Sequence, residues 1–214
     1  MSDAALLMDK MYRRQRYIYD LSRKFYLLGR DGVIADVKAK PGDSILEIGC
    51  GTARNLIKLA RAYPKAQCYG VDVSAEMLLS AHRSVGHAGL ERQIALAKGD
   101  ATSFDAAALF GRPQFDRIVI SYALSMIPPW REALAHSVDL LAPGGSLHIV
   151  DFGDQGGLPA WFKIALNRWL AAFDVTPRLD LRRVLADLAG TPPLRWRAAD
   201  RFRGYAVQAV VERF

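Results

Sequence analysis

Cysteine is scarce: Cys50 and Cys68 are the two in 214 residues. Two thiols cannot build a disulfide framework, and they lack the CxxC spacing of a metal site, so reduced thiols in a reducing compartment are expected. Long apolar runs are missing too, none approaching the roughly 18 to 20 residues that cross a bilayer. The opening Met1-Ser2-Asp3 has no basic n-region, which argues against secretion. A cytoplasmic protein is the expectation. There is no Pro- or Ser-rich linker and no repeat with a period of about 20 to 50 residues, so a solenoid is excluded. What is present, 51% hydrophobic, 10% aromatic and 24% charged residues, fits one globular domain and excludes a disordered or collagen-like chain.

The net charge of +7 is unevenly placed. Residues 1–40 carry +4, residues 41–150 are neutral, and residues 151–214 carry +3. A nucleic-acid binder concentrates positive charge where it grips phosphate, whereas here the excess flanks a neutral middle, so no nucleic acid is expected as a partner. An anionic membrane surface or an acidic substrate suits such flanks.

The neutral middle alternates strand and helix. Residues 44–48 form a short apolar run after the turn Pro41-Gly42-Asp43, residues 53–62 have a helical pattern, and residues 66–72 form a second run, together a βαβ unit. A helix at 75–84, strands at 94–98 and 115–121, a helix at 131–141 ending at Pro143-Gly144-Gly145, and a fifth strand at 146–152 continue the rhythm. Five such strands predict a mostly parallel, doubly wound sheet. A tyrosine- and arginine-rich helical stretch at 4–28 precedes it. Two helices near 159–174 and 178–189 and two strands near 194–203 and 205–212 follow.

The first strand runs into Glu47-Ile48-Gly49-Cys50-Gly51-Thr52-Ala53, a Gly-containing turn opening a helix, where missing side chains let a ligand approach the backbone. It departs from the dinucleotide fingerprint, because Ala53 stands where a further Gly is expected and Glu47 precedes the first Gly. Asp72, 21 residues beyond Gly51 at the end of the second strand, is placed to accept both hydroxyls of a ribose, with capping of the next helix as the lesser alternative. Asp100 ends the third strand at the same edge and suits an adenine amino group, although a turn aspartate is common there.

Taken together, the acidic-x-Gly-x-Gly turn, Asp72, Gly99-Asp100 and Leu141-Ala142-Pro143-Gly144-Gly145 resemble the seven-stranded, class I S-adenosylmethionine-dependent methyltransferases. The resemblance covers residues 40–152. It implies an α/β, Rossmann-like doubly wound sheet of seven strands with an antiparallel last strand, and S-adenosyl-L-methionine as cofactor, leaving as S-adenosyl-L-homocysteine. Glu47, Gly49, Cys50 and Gly51 would then line the methionine and ribose end, Asp72 would hold the ribose and Val73 would lie beside the adenine. Asp100 and Ala101 would recognise the adenine edge, and Ser121 and Tyr122 would face the transferred methyl. His82, His87, His136 and His148 make no ligand spacing, so no metal is expected. His148 within a strand reads as a satisfied core histidine.

Residues 17–31, with Glu47 to Leu56, resemble the corresponding segments of bacterial betaine-lipid N-methyltransferases, which trimethylate diacylglyceryl homoserine; a related phospholipid N-methyltransferase shares much of the pattern. The expected division is a helical cap at 1–40 and a methyltransferase domain at 41–214, with a helical insertion at about 155–190. Tyr12, Tyr19 and Tyr26 are spaced by sevens and, with Arg16 and Arg23, mark successive turns of one helix. Tyrosine faces attract a sulfonium or quaternary ammonium and an arginine holds a carboxylate, which favours Tyr19 and Arg23 as cofactor contacts. The same stripe is equally a packing pattern. The segment 158–170, with Trp161, Trp169, Lys163 and Arg168, is of a kind that lies in a membrane interface or covers a cleft.

Methyl transfer to an amine is a direct displacement in which positioning does most of the work, and an α-amine titrating near 8 is partly neutral at pH 7 without a base. Tyr122 and Asp151 are the candidates to orient it or take its proton. Lys24 and Arg178 are candidates to attract a carboxylate, a phosphate or the membrane itself. The expected partner is a lipid substrate at an anionic membrane surface, which would place the protein at the inner face of the cell membrane. A methyltransferase for a soluble acceptor and a cofactor-binding regulator without turnover stay open, as do phosphatidylethanolamine as acceptor and the oligomeric state.

Overall fold

The computed structural model describes residues 27–189 and 194–214. Within them one seven-stranded sheet runs in the order β3-β2-β1-β4-β5-β7-β6. The strands are β1 (Ser44–Ile48), β2 (Gln67–Asp72), β3 (Ile94–Lys98), β4 (Phe115–Ser121), β5 (Leu141–Phe152), β6 (Leu194–Arg201) and β7 (Ala206–Arg213). β1 to β5 are parallel, while β7 is antiparallel to both β5 and β6. This is the Rossmann-like sheet with an antiparallel last strand that the sequence predicts.

Helices pack on both faces because the central strands are apolar on both. β1 is buried along its whole length, the mark of a parallel strand covered twice. On one face α1 (Arg30–Asp36), α2 (Arg54–Ala62) and α3 (Ala75–Ala88) cover Ile45, Cys68, Ile94 and Val119. On the other, α4 (Ala106–Phe110), α5 (Trp130–Asp139) and α7 (Leu181–Ala189) cover Leu46, Ile118, Leu147 and Val211. Another helix, α6 (Ala160–Ala171), leaves most of its surface exposed. No helix among the described residues is long and apolar enough to cross a membrane.

Local chemistry sets the ends. Ser74 Oγ accepts the amide of Met77 at 3.3 Å and caps α3, which stops at Gly89 in a left-handed conformation. α4 and α1, which the sequence pattern did not reveal, are short: Asp105 caps the first by accepting the amide of Ala108, and the second follows Gly29 at φ +86°. β5 begins at Leu141, before Pro143-Gly144-Gly145 and not after it, because the turn residues are absorbed as an irregularity in the register with β4. The predicted helix at 4–28 lies almost entirely outside the described residues.

Candidate active site

In a parallel sheet a ligand crevice opens at the carboxyl edge, where the order of connections reverses, here between β1 and β4. The turn after β1 is shaped for close approach. Gly49 has φ +71°, and a Cβ built there would come within 2.7 Å of the Ala123 Cβ, so a side chain is excluded twice over. The amides of Gly49 and Cys50 both donate to the Val71 carbonyl, at 2.9 and 3.0 Å. Asp72 ties this turn to the next: Oδ2 accepts the Gly51 amide at 2.8 Å and Oδ1 the Ser74 amide at 2.9 Å. Ser74, and not Asp72, is therefore the helix cap. Ala53 takes the left-handed conformation usually left to glycine, φ +62°, while wholly buried.

Glu47 points out of β1 into this edge. Its Oε1 accepts from Asn55 Nδ2 at 2.7 Å, while Oε2 is buried and has no hydrogen-bond partner among the described residues. Burial, opposed only in part by the Asn55 bond and by Arg30, pushes its pKa up to about 8. It lines a cleft of about 480 Å³ with Arg30, Gly49, Cys50, Gly51, Asn55 and Ser121, whose Oγ is also buried and without a partner among the described residues. Cys50 is a free, buried thiol whose pKa burial raises further.

A second recess shares Gly49 and Gly51 with the first and adds Asp72, Val73, Gly99, Asp100 and Ala101, closed by Met126 and Ile127. Asp100 Oδ1 is held by the amide and hydroxyl of Thr102, at 3.0 and 2.8 Å, so the turn fixes the carboxylate in place. Every predicted cofactor residue among the described ones thus lines one of two contiguous recesses. Tyr19 and Arg23 lie outside the described residues, as does Lys24.

The two proposed catalytic residues have partners of another kind. Tyr122, at φ +54°, packs its ring edge-on to Phe152 at 4.7 Å and donates its hydroxyl to the Leu28 carbonyl at 2.5 Å. Burial moves its pKa far above the phenol range. Asp151 is wholly buried and accepts the amides of Ser125 at 3.0 Å and Phe152 at 2.8 Å; burial raises its pKa to about 6. These are surroundings that fix the turn after β4. Arg178 also faces inward: its guanidinium donates to the carbonyls of Leu124 at 2.9 Å and Ile127 at 2.8 Å and lies over Trp130. It clamps the wall of the second recess instead of awaiting a substrate anion. His148 is buried as predicted but only half satisfied, Nε2 meeting Ser146 Oγ at 2.9 Å while Nδ1 has no partner among the described residues.

Residues 45–145 match a family described as a methyltransferase domain. A demethylmenaquinone methyltransferase of Mycobacterium marinum is 30% identical over 70% of this chain and 59% of its own length. Its counterpart in Mycobacterium tuberculosis is 27% identical over 98% of this chain and 80% of its own length. The magnesium protoporphyrin IX methyltransferase of Synechocystis PCC 6803, solved with bound SAH, superposes with a TM-score of 0.67 at 18% identity, covering 96% of this chain and 94% of that one. Residues 45–145 thus carry the match to a methyltransferase domain, on a sheet fold shared with that enzyme.

The residues present fit S-adenosylmethionine as cofactor. Glu47 Oε2, without a partner among the described residues, suits a cationic donor such as an ammonium, and the Gly49 turn leaves room where a Cβ would not fit. Asp72 lines the second recess and orders its edge, accepting one backbone amide on each carboxylate oxygen. Asn55 and Arg30 were given no role at this edge by sequence, and Arg178 was expected to attract a substrate anion and not to brace the recess. Asn55 carried a usable signal, since it sits in the first turn of α2, directly after the Gly-containing turn.

Proposed function

We propose that the methyltransferase acts on the head-group amine of a lipid, adding three methyls stepwise to diacylglyceryl homoserine at an anionic membrane surface. When bound, S-adenosylmethionine would supply an electrophilic methyl on a sulfonium, open to in-line attack by an acceptor lone pair as the C–S bond breaks and the thioether S-adenosylhomocysteine leaves. Glu47 would orient the cofactor's ammonium, Asp72 its ribose, and Asp100 with Ala101 and Val73 its adenine. Ser121 Oγ, at the end of β4 and without a partner among the described residues, is available to orient the acceptor. The residues of the N-terminal segment, Tyr19 and Arg23 first, would close over the cofactor.

The observation that carries the amine is how Tyr122 and Asp151 are engaged. One donates its hydroxyl to Leu28 and the other accepts two amides inside the protein, so neither is presented as a free base. An amine near its own pKa needs none, whereas a phenol near 10 does. The likeness of residues 17–31 to betaine-lipid methyltransferases supports the head group. A second reading, methylation of a quinol of the demethylmenaquinone kind, is favoured by the named relatives.

The test is transfer of labelled methyl to diacylglyceryl homoserine, phosphatidylethanolamine and demethylmenaquinol presented in anionic vesicles, with mass analysis of the products. Three methyls on the homoserine lipid is the expected result. Exclusive labelling of the quinol would replace the amine reading by the second, and exclusive labelling of phosphatidylethanolamine would change the head group. Arg23→Ala should raise the cofactor Kd if that segment closes the site; an unchanged Kd would leave it a packing element.

A further inference from the structure

α6 is an apolar helix that sets Phe162, Leu166, Trp169 and Leu170 against the core and leaves its other face to solvent. Of its 12 residues only Leu170 is fully buried, while Trp161 is 71% and Ile164 59% exposed, three positions apart on one face. Its charged residues are Lys163 and Arg168, with no acidic side chain between Ala160 and Ala171. A helix meant to meet water carries the opposite composition.

The β6–β7 turn, beside it, presents a second exposed aromatic. Phe202 at φ +53° and Arg203 at φ +60° both hold a conformation that costs a bulky residue on the order of 1 kcal/mol or more, which Gly or Asn would adopt freely. The turn keeps this shape because the loop leading into α6 pins it. Gly153, Gln155 and Gly157 donate their amides to the carbonyls of Tyr205, Gly204 and Arg203, at 2.9, 2.8 and 3.1 Å. The side chain so held is Phe202, 53% exposed. Phe162 of α6 meets Tyr205 at 6.4 Å between ring centres, and Tyr205 in turn meets Phe152 at the end of β5. Helix and turn are thus one rigid unit at the carboxyl edge, where the cofactor recesses open.

We infer that Trp161, Ile164 and Phe202 enter the interface of an anionic bilayer, with Lys163, Arg168 and Arg203 at the level of the head groups. Trp at an interface and cations flanking apolar side chains are the composition such surfaces select, and the charge is complementary to an anionic leaflet. Of the acids near the turn, Asp154 accepts the Gly156 amide at 2.8 Å and Asp200 is paired with Arg182 at 2.9 Å. This inference rests on the lipid-acceptor reading, for it says how an acceptor that stays in its membrane reaches the methyl.

The experiment is co-sedimentation with vesicles of phosphatidylcholine, with and without phosphatidylglycerol, containing no acceptor lipid. Wild type should bind the anionic vesicles, and Trp161→Ser and Phe202→Ser should each lower the partition coefficient roughly tenfold, as apolar surface is no longer withdrawn from water. Lys163→Glu with Arg168→Glu should abolish the preference for phosphatidylglycerol. S-adenosylhomocysteine affinity, measured by calorimetry, should be unchanged in all of them, which establishes that they are folded. Wild-type partitioning of the Trp161 and Phe202 variants would overturn the inference even if the enzyme methylates a lipid amine. A concentration-dependent dimer abolished by Trp161→Ser would overturn it too, giving the face to a second copy. Loss of vesicle binding in these variants, in an enzyme that methylates only soluble amines, would uphold the surface and refute the acceptor reading.

Discussion

Cofactor binding should release a proton at neutral pH, and Glu47 is its source. The carboxyl is wholly buried at the end of β1, one oxygen held by Asn55 and the other without a partner among the described residues, and burial raises its pKa from 4.5 to about 8. At pH 7 such a group is roughly nine-tenths protonated in the free protein. An ammonium arriving beside Oε2 favours the carboxylate and forces the proton out. The amino group of the cofactor, titrating near 8, takes up only about a tenth of a proton at this pH, so the net release is roughly 0.8.

Calorimetric titration with S-adenosylhomocysteine at pH 7 in buffers of different ionisation enthalpy reads this number directly, as the slope of observed against ionisation enthalpy. Glu47→Gln should bring the slope close to zero while lowering affinity. A wild-type slope of zero would refute the reasoning, because it would mean Glu47 is either already charged or remote from the ammonium. The stability of the free protein carries the same sign. An acid whose folded pKa lies above its unfolded one binds more protons in the native state, so this group's contribution worsens as pH rises from about 4.5 through 8, by several kcal/mol in all. The cofactor should therefore raise Tm more at pH 8 than at pH 5.

Asp72→Ala should raise the S-adenosylhomocysteine Kd by roughly 100-fold, since two charge-assisted hydrogen bonds at about 1.5 kcal/mol each are removed; an unchanged Kd would sink the ribose assignment. The same variant should also lose about 1 to 3 kcal/mol in denaturant unfolding, because the Gly51 and Ser74 amides lose their acceptor. Gly49→Ala should abolish cofactor binding and cost roughly 2 to 4 kcal/mol, as its methyl would collide with Ala123 at a positive φ; wild-type Tm and Kd would contradict the turn geometry. Arg178→Ala should lower stability by about 2 kcal/mol and loosen the Leu124 to Ile127 wall, read as weaker binding of adenosine, with Arg178→Lys recovering only part.

The sheet was legible because its strands are short apolar runs separated by turn residues, and the signal for a buried parallel strand is that run itself. Boundaries failed where a residue type admits two geometries. Pro143-Gly144-Gly145 reads as a stop, yet pairing with β4 draws Leu141 into β5 and leaves the glycines as an irregularity within it. Backbone-facing site residues were readable for the same local reason: a Gly turn and an Asp at a strand end occupy fixed offsets from strands already located. Side-chain roles after β4 were not, since Tyr122 finds Leu28 94 residues away and Arg178 finds Leu124 54 residues away, and no local pattern encodes such partners. Ala53 lies between the two cases. Sequence marks it as a departure from glycine, but only the structure shows that the chain still takes the left-handed conformation there, with the methyl fully buried. Replacing it with Gly relieves about 1 kcal/mol of backbone strain and forfeits about as much in packing, so Ala53→Gly should be close to neutral in denaturant unfolding. Ala53→Val, β-branched at a positive φ in filled space, should cost at least roughly 2 kcal/mol, and equal stability of the two variants would show that the strain is absent.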